Sequence, residues 1–96
     1  MKAILPYTVK NNLGELLKKE QAKRVLHQNK RVLLAEIEEE LAEHCNLTRD
    51  GILRIKRGLS IASLPVAFKI AEFFDVSISE IFALADKKGV EELELI

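Results

Sequence analysis

Two short apolar patterns on either side of a compact turn constrain the fold of this chain more than any other feature of its sequence. Before the turn, Leu41 and Cys45 have the four-residue spacing of one helix face, and after it Ile52 and Ile55 have a matching three-residue spacing. Leu47 lies between the two patterns and can fill the corner of the turn. Because helices this short are unstable alone, the pattern predicts two helices packed at a steep angle, a helix-turn-helix.

Capping signals predict three short helices in the second half of the chain. Thr48 is an N-cap candidate for a helix that ends at Gly58, which has the character of a C′ glycine. Ser63 can cap a helix that runs to residue 74, with a proline tolerated in its first turn. Ser77 and Glu80 have the spacing of a capping box, which predicts a helix from there to about residue 85. Helices of this length must pack together to be stable.

The first half of the chain has a longer helical pattern, in which apolar residues recur at three- and four-residue steps from Leu13 to Cys45. No proline, and no glycine after Gly14, interrupts this pattern. It is compatible with one long helix or with two helices. The polar stretch His27-Gln-Asn-Lys30 forms helix poorly and therefore favours two.

Both ends of the chain have strand-like composition. The β-branched and aromatic residues near the start predict a short strand or extended arm, and Pro6 restricts it to the edge of a sheet. Residues 90–96 partly alternate between apolar and polar, so they can pair with that arm within the chain or across a dimer, or form a frayed helical turn. We therefore expect an N-terminal arm over 1–11, a helical domain over 12–85 and a tail over 86–96.

The composition restricts the class of protein. The chain has 96 residues, enough for one compact domain, and its 15 basic and 15 acidic residues give a net charge of zero. This balance argues against a protein that coats nucleic acid evenly, but a local basic face remains possible. With one cysteine, Cys45, and two histidines we expect no disulfide and no metal site. We also expect a soluble, cytoplasmic protein, because no signal peptide or membrane-spanning stretch is present in this sequence.

The sequence offers little for catalysis. It contains no Gly-rich phosphate loop and no nucleophile with a nearby base, and Glu38, Glu39 and Glu40 are consecutive, so a helix would direct them to different faces. We therefore expect neither an enzyme nor a cofactor.

The segment from about Glu39 to Leu84 resembles the phage repressor and Cro-type helix-turn-helix family, also called the Xre or Cro/C1-type family. An ordered set of features carries the resemblance without a gap: the ELA of the second helix, the Asn-Leu-Thr turn, the Ile-x-x-Ile-x-x-Gly helix, the apolar spine of the fourth helix, and VSISEIF. Asn12-Leu13 with Glu15-Leu16 resembles the start of that family's first helix. The resemblance implies an all-α, lambda-repressor-like five-helix bundle. In this chain we expect that bundle to have an extended helix 1/helix 2 region and room for short terminal strands.

The resemblance also implies a function. With the helix-turn-helix at about residues 38–57, the recognition helix at about 49–57 would enter the major groove of double-stranded DNA. The chain would then be a sequence-specific transcriptional regulator, a repressor, that binds a palindromic operator as a homodimer. Arginines can bind both acceptors of a guanine, which makes Arg49 and Arg54 the first candidates for base contact. The DNA-contacting residues that the resemblance implies are Thr48, Arg49, Asp50, Gly51, Leu53, Arg54, Lys56 and Arg57.

The chain departs from the family pattern in charge. Glu38 stands where the family usually has glutamine, and Asp50 occupies a position that often reads bases. Acids repel phosphates, so Glu36 and Glu38 to Glu40 weaken the expected contact with the DNA backbone, although Asp50 can accept a hydrogen bond from cytosine. Lys56 stands where the family usually has an acid, which makes this recognition helix more basic than usual.

The chain also departs from the family pattern in length. Between the Asn-Leu start and the ELA motif it has roughly fourteen extra residues, which as helix would add about 21 Å. The segment at 20–31 is basic apart from Glu20, and it could be a dimer surface, a contact to the DNA backbone or a docking face for another protein. The acids and the extra length support an alternative function as a protein-binding helix-turn-helix module, either an antirepressor or corepressor, or the antitoxin of a toxin pair.

Overall fold

The computed structural model describes the backbone of residues 2–4, 7–86 and 92–95, and the side chains of residues 8–85. Within these residues the chain forms a small helical bundle with short strands at its ends. The helices are α1 (Leu13–Gln28), α2 (Leu34–His44), α3 (Arg49–Lys56), α4 (Leu64–Phe74) and α5 (Ile78–Ile81). The strands are β1 (Lys2–Ile4), β2 (Tyr7–Asn11), β3 (Ser60–Ile61), β4 (Phe82–Asp86) and β5 (Glu92–Leu95).

The long helical pattern of the first half is divided into two helices, α1 and α2. Asn29 ends α1 in the left-handed conformation, with φ of 50°, and its N–H donates to the carbonyl of Val25 at 2.9 Å. Asparagine tolerates this conformation better than most residues, which explains the break at the polar stretch. Val32 is buried, and Gln21 donates from Nε2 to the Val32 carbonyl at 2.9 Å, so the loop folds back onto α1.

The capping signals place the starts of the later helices. The Thr48 hydroxyl accepts from the Gly51 N–H at 3.1 Å at the start of α3, and Gly58 follows that helix with φ of 75°, a left-handed conformation that favours glycine. Ser63 is the N-cap residue of α4. At α5, the Glu80 carboxylate accepts from the Ser77 N–H at 2.7 Å, as a capping box requires.

The predicted end of the last helix, at about residue 85, is wrong. Helix α5 ends at Ile81, and β4 continues directly from it, antiparallel to β2 with Asn11 opposite Phe82 and Tyr7 opposite Asp86. Strand β2 provides hydrogen-bond partners for the backbone of β4. In a helix, those partners would have to come from within the same segment. Strand β3 was not predicted from the sequence either.

The two ends of the chain pair within one molecule. Strand β5 lies antiparallel to β1, with Lys2 opposite Glu94, and parallel to β3, with Ser60 opposite Glu94. Of the alternatives for the tail, the structure therefore has a strand that pairs with the N-terminal arm in the same chain. Its pairing with β3 also links both chain ends to the segment that follows α3.

The core lies between α1, α2, α3, α4 and α5. Its fully buried apolar side chains are Leu13, Leu17, Ile37, Leu41, Ile52, Ile55 and Ile70. Cys45 is buried beside them, and burial raises the pKa of its thiol to about 11, as expected of a structural cysteine. On α1 only Leu13 and Leu17 are buried, whereas Leu26 is 82% exposed. The first half of α1 therefore belongs to the core, and the second half contributes no fully buried side chain to it.

Candidate nucleic-acid interface

The turn between α2 and α3 positions the candidate recognition helix. Asn46 adopts the left-handed conformation with φ of 57°, and the N–H of Leu47 donates back to the carbonyl of Ala42 at 2.9 Å. Leu47 is half-buried against the core, as its position at the corner of the turn predicts. This short turn reverses the chain and packs α3 across α2.

Helix α3 has one buried face and one accessible face. Ile52 and Ile55 are buried in the core. The eight residues expected to contact DNA lie on the rest of the helix and at its two caps: Thr48, Asp50 and Arg57 are exposed, and Arg49, Gly51, Leu53, Arg54 and Lys56 are half-buried. The structure therefore brings all eight residues together on one element, around a surface that solvent can reach.

A charged cluster lies beneath this surface, with the carboxylate of Glu38 from α2 at its centre. Oε1 accepts from Arg49 Nε at 3.0 Å and lies 3.0 Å from Arg49 Nη2, and Oε2 accepts from Lys56 Nζ at 2.9 Å. We call Glu38, Arg49 and Lys56 the inner triad. The Glu38 side chain is only 3% exposed, while those of Arg49 and Lys56 are 41% and 24% exposed.

The inner triad keeps Glu38 ionised at neutral pH. Burial by itself raises the pKa of the carboxyl group, but the hydrogen bonds and charges of Lys56 and Arg49 together outweigh burial, so the net pKa is lowered from its usual value. A buried carboxylate with both oxygens paired is the arrangement in which burial of a charge is tolerated.

The inner triad corrects the interpretation of two charge departures. From the sequence alone, Glu38 is expected to face DNA phosphates, and Lys56 is expected to add a basic charge to the recognition helix. In the structure these two side chains point at each other, and Glu38 presents almost no surface to a ligand. The sequence contains one indication that Glu38 and Lys56 form a pair: both positions depart from the family pattern, and their charges are opposite. The residues are 18 positions apart, so no local rule connects them.

The remaining basic residues of α3 differ in how they are held. Arg54 donates from Nε to the buried Ser60 hydroxyl on β3 at 3.2 Å, which ties it to the segment after the helix. Arg57 is exposed at the C-cap. Asp50 is exposed in the first turn of α3, where a negative charge is favoured by the helix dipole.

Gly51 is not required by the fold. A Cβ built on it would lie 3.6 Å from Thr48 Oγ1 and 3.7 Å from Leu47 Cβ, which are ordinary van der Waals distances. Glycine in a helix interior is unfavourable by roughly 1 kcal/mol relative to alanine. The absence of a side chain at this accessible position therefore has no explanation in the packing of the protein itself.

A second charged cluster joins α1 to α2. Arg24 donates to Glu20 at 2.8 Å and to Glu40 at 2.6 Å. We call Glu20, Arg24 and Glu40 the outer triad. Three of the four acids near the expected DNA backbone, Glu36, Glu39 and Glu40, are exposed.

Within the described residues, histidine, cysteine and acidic side chains form no group of three that could hold a metal ion. No helix of the described ranges is long and apolar enough to cross a membrane.

Comparisons with known proteins match parts of the chain to helix-turn-helix proteins. A family model described as helix-turn-helix matches residues 37–81, from within α2 to the end of α5. The chain is 43% identical over 49 residues to an uncharacterized HTH-type transcriptional regulator of Methanocaldococcus jannaschii. That match covers 51% of this chain and 74% of the relative. No solved structure matches the chain.

Proposed function

The chain belongs to the Xre family of helix-turn-helix proteins, which are DNA-binding regulators, and on that premise we propose that it is a transcriptional repressor that binds a palindromic operator in double-stranded DNA as a homodimer. The observation that carries the proposal is the accessible face of α3. A basic flank borders this face, while the opposite face is anchored in the core by Ile52 and Ile55. A helix held in this way can enter the major groove as a rigid unit.

Each residue of the accessible face has a chemical role in this proposal. Arg49 and Arg54 read guanines, and Asp50 accepts from a cytosine amino group. Leu53 contacts a thymine methyl group. The Thr48 hydroxyl, which accepts from the Gly51 N–H, keeps its own hydrogen to donate to a phosphate. Arg57 supplies positive charge that holds the helix on the DNA backbone, and Lys56 adds less to it because Glu38 pairs with its ammonium group.

Gly51 supports a close approach of α3 to the bases, because the protein itself leaves room for a Cβ. The substitution Gly51→Ala should raise the free energy of unfolding by up to about 1 kcal/mol, since alanine is the better helix former. It should also weaken operator binding, because the added methyl group would enlarge the start of the recognition helix beside Thr48. A stabilised protein with unchanged operator affinity would argue against this docking.

A homodimer is proposed because one such unit buries too little DNA surface for useful specificity. Two recognition helices would then contact half-sites about 34 Å apart. Leu64 and Phe68, one turn apart on α4, are 65% and 59% exposed and offer an apolar area for self-association. Light scattering of the wild type and of Phe68→Glu tests the proposed dimer. We expect the wild type to be a dimer and the variant to be a monomer. A wild type that binds operator DNA as a monomer would exclude the dimer.

Selection of bound fragments from random genomic DNA at about 50 mM and 200 mM salt tests the proposal as a whole, because phosphate contacts make affinity depend on salt. Fragments that share a palindrome are the expected result. Absence of any enriched sequence at the lower salt concentration would count against a DNA-binding repressor.

Alanine variants test the assignment of the residues. Arg49→Ala and Arg54→Ala should each weaken binding to the selected operator by about 5- to 150-fold, the range of one bidentate contact to guanine. Arg24→Ala removes the same charge from α1 and is the matched control. An equal loss in all three variants would indicate a general charge effect and not base reading by α3.

A second candidate function is binding to another protein, as an antirepressor, corepressor or antitoxin. The exposed acids Glu36 and Glu39 of α2 and the exposed Leu26 of α1 favour it. Two results together would favour this candidate: the chain binds a protein partner with an affinity that does not depend on salt, and it causes no shift of DNA.

A further inference from the structure

We infer that Glu38, a residue that DNA would hardly touch, is a positioning residue that sets sequence discrimination: its buried carboxylate fixes the guanidinium of Arg49 in one orientation toward the bases. The inference rests on the proposed function, since it concerns how the accessible face of α3 reads DNA. It assigns a role to a residue that has almost no accessible surface of its own.

The contact between Glu38 and Arg49 leaves part of the guanidinium free. Nε donates to Oε1, and Nη2 lies at the same distance from that oxygen, so the Nε edge of the group faces the protein. A guanidinium has five N–H donors in one plane. The donors on Nη1 and on the outer side of Nη2 therefore point away from Glu38. The Arg49 side chain is 41% exposed, so these donors can reach a guanine.

The carboxylate that holds Arg49 is itself held from other directions. Its second oxygen accepts from Lys56, and the aliphatic part of Lys56 packs over Gly14 of α1, where a Cβ would lie 3.8 Å from Lys56 Cγ and Cδ. Glu38 thus has little freedom to move. Much of the rotamer freedom of Arg49 is lost when the protein folds and not when it binds, which is how a preorganised contact gains affinity.

Glu38 also changes how the recognition helix attracts DNA of any sequence. Two positive charges on one helix attract phosphates regardless of sequence, and each phosphate contact steepens the dependence of affinity on salt. The negative charge of Glu38 offsets one of them. Loss of that charge should therefore raise affinity for random DNA while it lowers preference for the operator. A residue with a merely structural role would, when replaced, lower both affinities together.

The test compares Glu38→Gln with Glu40→Gln. Both variants replace one carboxylate of α2 by an amide and change the net charge equally, but Glu40 binds Arg24 of α1 and not the recognition helix. Dissociation constants are measured for a selected operator and for random DNA of the same length, at several salt concentrations. For Glu38→Gln we expect the ratio of the two constants to fall by about 5- to 50-fold, with tighter binding to random DNA. For Glu40→Gln we expect the ratio to stay within about twofold.

Two further variants keep the inference testable if Glu38→Gln does not fold. Glu38→Asp keeps the charge but withdraws the carboxylate by one methylene, so discrimination should fall without tighter binding to random DNA. Arg49→Lys keeps the charge at a partly exposed position but removes the planar donors, and it should cause a similar loss. Unchanged discrimination in either variant would overturn the inference.

The outcomes separate the inference from the proposed function. A wild-type chain that prefers no DNA sequence would overturn both. A wild-type chain that binds its operator, with the same discrimination in Glu38→Gln, would overturn the role of Glu38 and leave the proposed function intact.

Discussion

The inner and outer triads are mirror images in charge, and both include an acid of α2. In the inner triad one acid lies between two basic residues, and the central Glu38 side chain is 3% exposed. In the outer triad Arg24 lies between two acids, with exposures of 22% for Arg24, 23% for Glu20 and 52% for Glu40. The outer contacts are the shorter ones, at 2.6 and 2.8 Å against 2.9 and 3.0 Å.

The contact distances therefore do not show which cluster contributes more to stability, whereas the burial of the central side chain does. A charge pair in contact with water contributes little, because water solvates the separated charges almost as well. Water competes less for charge-assisted hydrogen bonds to a buried carboxylate, so the loss of such bonds has a larger effect there. The inner triad also joins α2 to the recognition helix, whereas the outer triad joins α2 to α1.

The largest expected effect is on stability. Glu38→Ala should lower the free energy of unfolding by about 1–3 kcal/mol, because the charge-assisted hydrogen bonds of Arg49 and Lys56 to a buried carboxylate are lost. Glu40→Ala should lower it by at most about 1 kcal/mol. Denaturant unfolding of the three proteins measures both differences. Equal losses would show that burial does not distinguish the triads.

The second prediction concerns pH. The pKa of Glu38 is lowered in the folded protein, so its contribution to stability is fully present above the unfolded-state pKa, about 4.3. That contribution is lost as the pH falls through the lower folded-state value. The difference in unfolding free energy between the wild type and Glu38→Gln should be constant from about pH 7 to pH 5 and shrink below about pH 4.

Urea unfolding followed across this pH range measures the difference. A gap between the two proteins that widens on acidification would have the opposite sign and would contradict the lowered pKa.

The smallest expected effect is that of salt concentration on the stability differences between the wild type and the variants. At about 1 M salt the screening length is about 3 Å, so exposed charge pairs are weakened more than buried ones. The stability difference between the wild type and Glu40→Gln should approach zero at that concentration. The difference for Glu38→Gln should change by only a few tenths of a kcal/mol, since little solvent reaches its carboxylate. Chemical unfolding in urea, with and without added NaCl, compares the two, and a stronger salt response at Glu38 would reverse the ranking.

Local signals in the sequence determined the helices near the candidate site. The hydroxyl of Thr48, the left-handed glycine at 58 and the spacing of Ile52 and Ile55 act within one or two turns of chain, so their effect could be predicted without tertiary information. The family and the DNA-binding class follow from the same segment, since the matched residues 37–81 contain these signals.

Only the tertiary structure decided the features that depend on distant residues. The segment after Ile81 forms a strand and not a helix because β2, more than 70 positions earlier, pairs with it. Glu38 faces inward because α3 folds back over α2 and brings Arg49 and Lys56 to it from 11 and 18 positions away. Sequence spacing carries no information on such contacts, because they form only when the fold brings residues from distant parts of the chain together. The sequence alone shows that position 38 carries a negative charge, but only the fold determines which residues pair with it.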